Sequence, residues 1–296
     1  MRNEPAATAQ AGPTSAYALI NGLKLHYLDW GGDAARHTFV LCHGGSAHSH
    51  WWDEVAPLLA EDGRVLGLDF RGHGRSQWAS NYGPQAHISD LKGFIREHLN
   101  ARVVLVGHSM GGEIALRVAA DCPEALEALV IADSVHGGPP LKTRLMWRWK
   151  RRNQDGPRPE FPSAEALIAR FRLSPPGDNL TPEGRAALAL KGAEPLANGN
   201  WAFRFDPKTR KMTPGWRRAF NFRLQDIRVP TLILRGEHSA LVAPRRAKRM
   251  HRRIHGSVFK TIPGAYHHIS LDNPEATAAA IGDFVDALES QQIPAR

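Results

Sequence analysis

Cysteine is nearly missing from this chain, with Cys42 and Cys122 the only two among 296 residues. Two thiols cannot build a disulfide framework. One falls in a strand pattern and the other at a helix end, so both read as reduced packing residues and point to the cytoplasm. No window approaches the roughly 18 consecutive apolar residues of a membrane helix, which excludes a span of that kind. Residues 1–14 also lack an apolar run. They are polar and rich in Ala, Pro and Gln, and read as a disordered tail, not a secretory signal. An internal repeat, a metal-ligating cluster and a glycine-rich phosphate loop are equally absent from the sequence, so no metal and no cofactor is expected.

Charge is plentiful, but its surplus is local. Between His136 and Asp226 there are 18 Lys and Arg against 8 Asp and Glu, so the rest of the chain is near neutral although the whole carries +9. The densest run is Arg148-Trp149-Lys150-Arg151-Arg152. Such a run is ordinarily a solvated face, and its sharper reading is attraction of an anionic substrate or acidic surface. No recognition motif accompanies it, so nucleic acid is not an expected partner.

The length suits one α/β domain with an insertion, and 42% hydrophobic and 23% charged residues are ordinary for a globular chain. Strand patterns lie near 16–20, 23–30, 38–42, 64–69, 103–107, 128–133, 231–236 and 257–262. Helical patterns lie near 52–61, 85–99, 110–121, 243–254 and 274–289. This alternation predicts a largely parallel sheet with helices on both faces. Asn21-Gly22 predicts that the first two strands form a hairpin. The alternation breaks between Asp133 and Thr231 in a proline-rich stretch with short helical pieces such as 164–173. The expected division is a core of residues 15–135 and 227–290 with an inserted subdomain at 136–226. Aromatics of that insertion, including Trp147, Trp201 and Phe203, read first as its own core and second as the walls of a pocket.

The most informative stretch is Val-Leu-Val-Gly-His-Ser-Met-Gly-Gly at 104–112. It reads as a buried strand that turns through Gly-x-Ser-x-Gly into a helix. Gly107 and Gly111 stand where side chains would collide, and Ser109 sits on a turn that forces strained dihedrals and lifts its hydroxyl clear of the sheet. That placement suits a nucleophile.

Through this turn the chain resembles the α/β-hydrolase family, in its cap-bearing esterase-like branch. Three further stretches in the expected order carry the resemblance: Leu-Cys-His-Gly-Gly at 41–45, Asp-Phe-Arg-Gly-His-Gly-Arg-Ser at 69–76, and Ile-Pro-Gly-Ala-Tyr-His-His at 262–268. It covers residues 16–288 and implies an α/β-hydrolase fold: an eight-stranded, mostly parallel sheet flanked by helices, with a helical cap after the sixth strand. It places the general base at His267, where Tyr266 replaces the more usual glycine, with His268 as the fallback. The acid departs from the pattern. Relatives usually carry Asp three residues beyond the glycine that ends the 231–236 strand, and here that position is Ser239, followed by Ala240. Some relatives place the acid at the end of the preceding strand instead, which offers Asp133; Glu237 is the runner-up. Ser239 could hydrogen-bond the imidazole without balancing its charge, so a Ser-His dyad stays open.

The resemblance assigns the oxyanion donors to the backbone N–H groups of Met110 and Gly45. Gly44, His108, Trp51 and Trp147 are candidates for the substrate pocket. The expected reaction is hydrolysis of a carboxylic ester or similar acyl bond in a small molecule, through an acyl-enzyme on Ser109. The expected substrate is an apolar or aromatic acyl compound. Lactone hydrolysis and carbon–carbon cleavage of aromatic ring-fission products are the alternatives within the same chemistry. A degenerate hydrolase that only binds a ligand is the alternative of another class. Epoxide hydrolysis and dehalogenation are disfavoured, because such relatives carry Asp where this chain has Ser109.

Overall fold

A computed structural model describes residues 12–137, 157–210 and 219–290. Trp147 and the basic run at 148–152 lie outside these. Eight strands form one sheet: β1 (Thr14–Ile20), β2 (Leu23–Gly31), β3 (Thr38–Cys42), β4 (Arg64–Leu68), β5 (Val103–His108), β6 (Leu126–Ala132), β9 (Thr231–Gly236) and β10 (Val258–Ile262). Their order is β1-β2-β4-β3-β5-β6-β9-β10. The first two pairings, β1 with β2 and β2 with β4, are antiparallel, and the remaining five are parallel. The predicted hairpin forms at Asn21 (φ 50°) and Gly22 (φ 73°), the left-handed pair that a tight turn between right-twisting strands requires.

The central strands read as continuous apolar runs because both faces of the sheet are covered. Alternate residues divide cleanly between two cores. Val40, Leu105, Leu129 and Ile131 pack with Leu91, Phe94, Ile114 and Leu116 on one side. Phe39, Leu41, Val104, Val106 and Val130 pack with Trp52, Leu59, Ile281 and Phe284 on the other. The first side is roofed by α2 (Pro84–Gly93) and α3 (Met110–Asp121), the second by α1 (Ala56–Leu59) and the C-terminal helix α7 (Pro274–Glu289). α6 (Pro244–Arg253) follows β9, and its Met250 joins the first core.

Two helical expectations need correction. The pattern at 52–61 is a 3-10 turn at Ser49–Trp52 followed by the single turn α1, because Pro57 enters at the helix start and resets it. The pattern at 85–99 is regular only to Gly93, beyond which Phe94–Leu99 widens into π-type turns that end at left-handed Asn100.

Between β6 and β9 the chain leaves the sheet. It forms α4 (Ala164–Arg170), capped by Ser163, and α5 (Pro182–Lys191), capped by Thr181 with Pro182 in its first turn. A short antiparallel pair, β7 (Ala193–Pro195) and β8 (Trp201–Phe203), follows. Leu167, Ala189, Ala193, Phe161, Trp201 and Phe203 pack together as a small separate core. Phe220 and Phe222 belong instead to the main sheet's first core.

Candidate active site

β5 carries Ser109 to its place. The strand ends at His108, α3 starts at Met110, and Ser109 between them has φ 52° and ψ −115°. Holding a serine there costs on the order of 1–3 kcal/mol, so the surrounding structure must impose it. Glycine makes the bend possible. A Cβ on Gly107 would stand 2.5 Å from the Gly111 carbonyl oxygen, and one on Gly111 would stand 2.6 Å from that of Cys42. Gly111→Ala is therefore expected to lower stability by about 1–3 kcal/mol, read as a fall in urea midpoint at constant m. Ser134 steadies the bend from below by donating its hydroxyl to the Ser109 carbonyl at 2.7 Å.

The far end of the chain supplies an imidazole. His267 follows β10, is 3% exposed, and its Nε2 lies 3.1 Å from Ser109 Oγ. Its Nδ1 lies 2.7 Å from Asp133 Oδ2, directly after β6. A carboxylate accepts and cannot donate, so Nδ1 carries the proton and Nε2 is left to accept from the Ser109 hydroxyl. Asp133 is 1% exposed and held in a left-handed conformation, φ 41°. The Gly236 N–H donates to its Oδ1 at 2.9 Å, and the Ser239 hydroxyl donates to Oδ2 at 2.6 Å.

The two carboxylates considered for this position are thus separated by geometry. Glu237 accepts the Gly264 N–H at 2.8 Å, with half of its side chain in solvent. Ser239 meets the carboxylate of Asp133, not the ring. His268 does not reach Ser109; its Nε2 faces the Pro175 carbonyl oxygen at 3.3 Å.

His108 braces the loop that carries His267. Its Nε2–H donates to the His267 carbonyl at 2.8 Å, and its ring lies 4.8 Å from that of His267. Burial, reinforced by the neighbouring His267 and His268, holds His108 far below the usual imidazole pKa, so it stays neutral. It therefore backs the site as a brace more than it forms an open wall.

His43 plays a similar part for the loop after β3. It accepts the Phe70 N–H at Nε2 (3.0 Å) and so donates from Nδ1 to the Gly44 carbonyl (2.7 Å). Burial pushes its pKa down to about 3. A Cβ on Gly44 would come 3.3 Å from Ser109 Cβ, and one on Gly45 would come 3.8 Å from Met110 Sδ. The loop thus lies against the start of α3, where the first N–H groups of a helix have no partner within it.

Trp51, 7% exposed, stacks near His108 and meets His268 edge-on at 5.0 Å. With Ala47, Leu173, Leu188, Phe171 and Leu180 it makes an apolar wall shared by the core and the insertion. The insertion is tied to this edge at several points. Asn179 binds Asp272 and Gly264 beside the His267 loop, Lys191 pairs with Asp53, and Arg210 donates to Ser46 at 3.3 Å.

Folding also makes a cluster that the sequence did not display. Nitrogens of His108, His267 and His268 lie within 4.8 Å of one another. Both nitrogens of His267 and Nε2 of His108 are already hydrogen-bonded, so these ring atoms are taken up by contacts within the protein.

One comparison decides the family. The profile of the alpha/beta hydrolase family matches residues 39–280. The chain belongs to that family. Among curated relatives, an esterase of Mycobacterium tuberculosis is 28% identical over 282 residues, covering 93% of this chain and 91% of its own. The 2-(acetamidomethylene)succinate hydrolase of Mesorhizobium japonicum is 26% identical over 251 residues, covering 84% and 87%. Among solved structures, a thioesterase domain from the curacin biosynthetic pathway superposes with a TM-score of 0.75 at 23% identity, over 92% of this chain and 99% of that one, a likeness of fold. This α/β hydrolase is accordingly an enzyme of the hydrolase class, and no helix among its described residues is long and apolar enough to cross a membrane.

Proposed function

We propose that this α/β hydrolase is a serine hydrolase that cleaves carboxylic esters through an acyl-enzyme on Ser109. The observation that carries the reading is the unbroken relay from Ser109 Oγ to His267 Nε2 (3.1 Å) and from His267 Nδ1 to Asp133 Oδ2 (2.7 Å). Serine at its own pKa is a weak nucleophile and needs such a base. As Ser109 Oγ attacks the acyl carbon, its proton passes to Nε2, and the buried Asp133 carboxylate balances the imidazolium that forms. The leaving alcohol takes that proton. Water then attacks the acyl carbon while giving a proton to His267 Nε2, the bond from that carbon to Ser109 Oγ breaks to release the acid, and Nε2 returns the proton to Oγ. The N–H groups of Met110 and Gly45 receive the oxyanion, which exists only near the transition state and so rewards donors fixed in advance.

The insertion between β6 and β9 acts in this reading as a cap. The Trp51, Leu173, Leu188 and Phe171 wall favours an apolar or aromatic acyl group in a small-molecule substrate. Esterase activity of the mycobacterial relative agrees with this choice of bond. The test is covalent labelling with a fluorophosphonate, followed by peptide mass spectrometry. Rapid, stoichiometric phosphonylation of Ser109 is expected, slowed while a p-nitrophenyl ester is present in excess as a competing substrate. Failure of Ser109 to label faster than other exposed serines would sink the assignment.

A further inference from the structure

A second serine, histidine and aspartate stand in line at the opposite margin of the sheet. Ser15 lies on the edge strand β1 and is exposed. His26, on β2, is 1% exposed and places Nε2 2.7 Å from Ser15 Oγ. Its Nδ1 lies 2.7 Å from Asp69 Oδ2, just beyond β4. None of these three takes part in the chemistry assigned to Ser109.

The direction of the proton is fixed by Asp69. Its carboxylate also accepts the N–H of Ser49 (2.6 Å) and of Arg75 (2.9 Å). Burial raises its pKa, the hydrogen bond from His26 lowers it, and the net effect holds it well below the usual carboxylate range. An ionised Asp69 can only accept, so His26 carries a proton on Nδ1, and the neutral form of the ring has its lone pair on Nε2, facing the Ser15 hydroxyl. The ring cannot swing away. Asp69 on Nδ1 and Tyr17, which packs edge-on at 5.2 Å, hold the imidazole, and the backbone N–H of His26 fixes its place on the strand by donating to Ser76 Oγ at 2.8 Å. A fixed base with an open serine in front of it is the arrangement that raises hydroxyl nucleophilicity.

We propose that Ser15, with His26 as its base and Asp69 holding that base, is a second nucleophile that captures acyl groups from activated esters. Ser15 Oγ attacks the carbonyl carbon of an aryl ester while its proton passes to His26 Nε2. The bond from carbon to the aryl oxygen breaks, the aryl oxide leaves, and His26 returns the proton to solvent. What remains is an ester on Ser15. Ser15 sits within a strand, where backbone N–H groups lie in the plane of the sheet and not at a helix start aimed at the hydroxyl. Lacking such donors, the adduct forms slowly and accumulates instead of turning over.

The experiment uses the full chain carrying Ser109→Ala, incubated with p-nitrophenyl acetate and mapped by peptide mass spectrometry. Ser15 should acetylate about 10²-fold faster than exposed Ser80 and Ser89, the scale of general-base assistance. His26→Asn, whose amide keeps a donor toward Asp69 but removes Nε2, should abolish that advantage. Acetylation of Ser15 no faster than that of Ser80 overturns the proposal, as does full retention of the advantage in the folded His26→Asn protein. A second measurement does not depend on that variant folding. Ser15→Cys should react with iodoacetamide at pH 7 at least about tenfold faster than Leu19→Cys on the same open face of β1, because the imidazole draws off the thiol proton. Equal rates would overturn the proposal. The native Cys42 and Cys122 are buried and give little background.

Discussion

Ser109→Ala and His267→Ala are each expected to lower kcat for a p-nitrophenyl ester by about 10⁶-fold, and the double variant by scarcely more. In the proposed mechanism the two groups perform one act. Without His267 Nε2 at 3.1 Å, the Ser109 hydroxyl keeps its proton; without the hydroxyl, the imidazole has nothing to activate but water. Removing either therefore removes the whole covalent route, and removing both removes nothing further. Some rate should survive in all three variants, because the backbone donors proposed for the oxyanion do not depend on either side chain. Stability should change little for Ser109→Ala, since the strained φ of 52° is imposed by Gly107, Gly111 and the strand-to-helix bend and is kept by alanine. Steady-state kinetics with thermal melts on all three proteins test this together. A single variant that keeps a tenth of the wild-type kcat is incompatible with the relay. So is a double variant far slower than either single one.

The bend itself is legible in the sequence because its constraint is local. A strand, a turn and a helix follow within nine residues, and close packing dictates glycine at 107 and 111 whatever the rest of the chain does. His267 and Asp133 are reached through the family resemblance: Asp133 directly follows one parallel strand, His267 stands five residues beyond another, and the carboxyl ends of such strands converge on one edge. Strand alternation alone does not choose between Asp133 and Glu237, and the 2.7 Å contact joins groups 134 positions apart in the chain.

Less legible are the parts decided by long-range packing. Ser239 occupies the position where an acid is more usual, and only folding shows that its hydroxyl is spent on Asp133, which already has donors from Gly236 and His267. The braces His43 and His108 look in sequence like ordinary motif neighbours; their work depends on carbonyl groups, of Gly44 and of His267, that no periodicity reports. The β7–β8 pair is invisible because each strand has three residues and one contains Pro195, too short for an alternating pattern. The helical patterns misplace Ser49–Trp52 and Phe94–Leu99 because apolar spacing persists there while backbone geometry changes. Pattern reports which face is buried, not which hydrogen-bonding turn achieves it.

Asp133→Asn is expected to lower kcat by about 10⁴-fold with little loss of fold. The amide is nearly the same size, and its oxygen can still accept the Gly236 N–H at the place where Oδ1 does now. Its NH₂ would then face His267 Nδ1 and Ser239 Oγ. Two donors cannot meet, so the imidazole must turn its bare nitrogen toward the new amide and carry the proton on Nε2, where it repels the Ser109 hydroxyl proton instead of accepting it. The positive charge formed during attack would also lose its counter-ion. Ser239→Ala removes one donor and leaves the carboxylate with Gly236 and His267, so a loss of no more than about tenfold is expected, the scale of one ordinary hydrogen bond. Glu237→Gln, on an exposed side chain bonded to Gly264, should leave kcat unchanged. Measured side by side, the three variants separate the possible acids. If Asp133→Asn stays within tenfold of wild type while Glu237→Gln collapses, the imidazole takes its counter-charge from the β9 loop after a rearrangement. If neither matters, the enzyme runs on Ser109 and His267 alone, and Asp133 serves only to fasten β6 to the turn after β9.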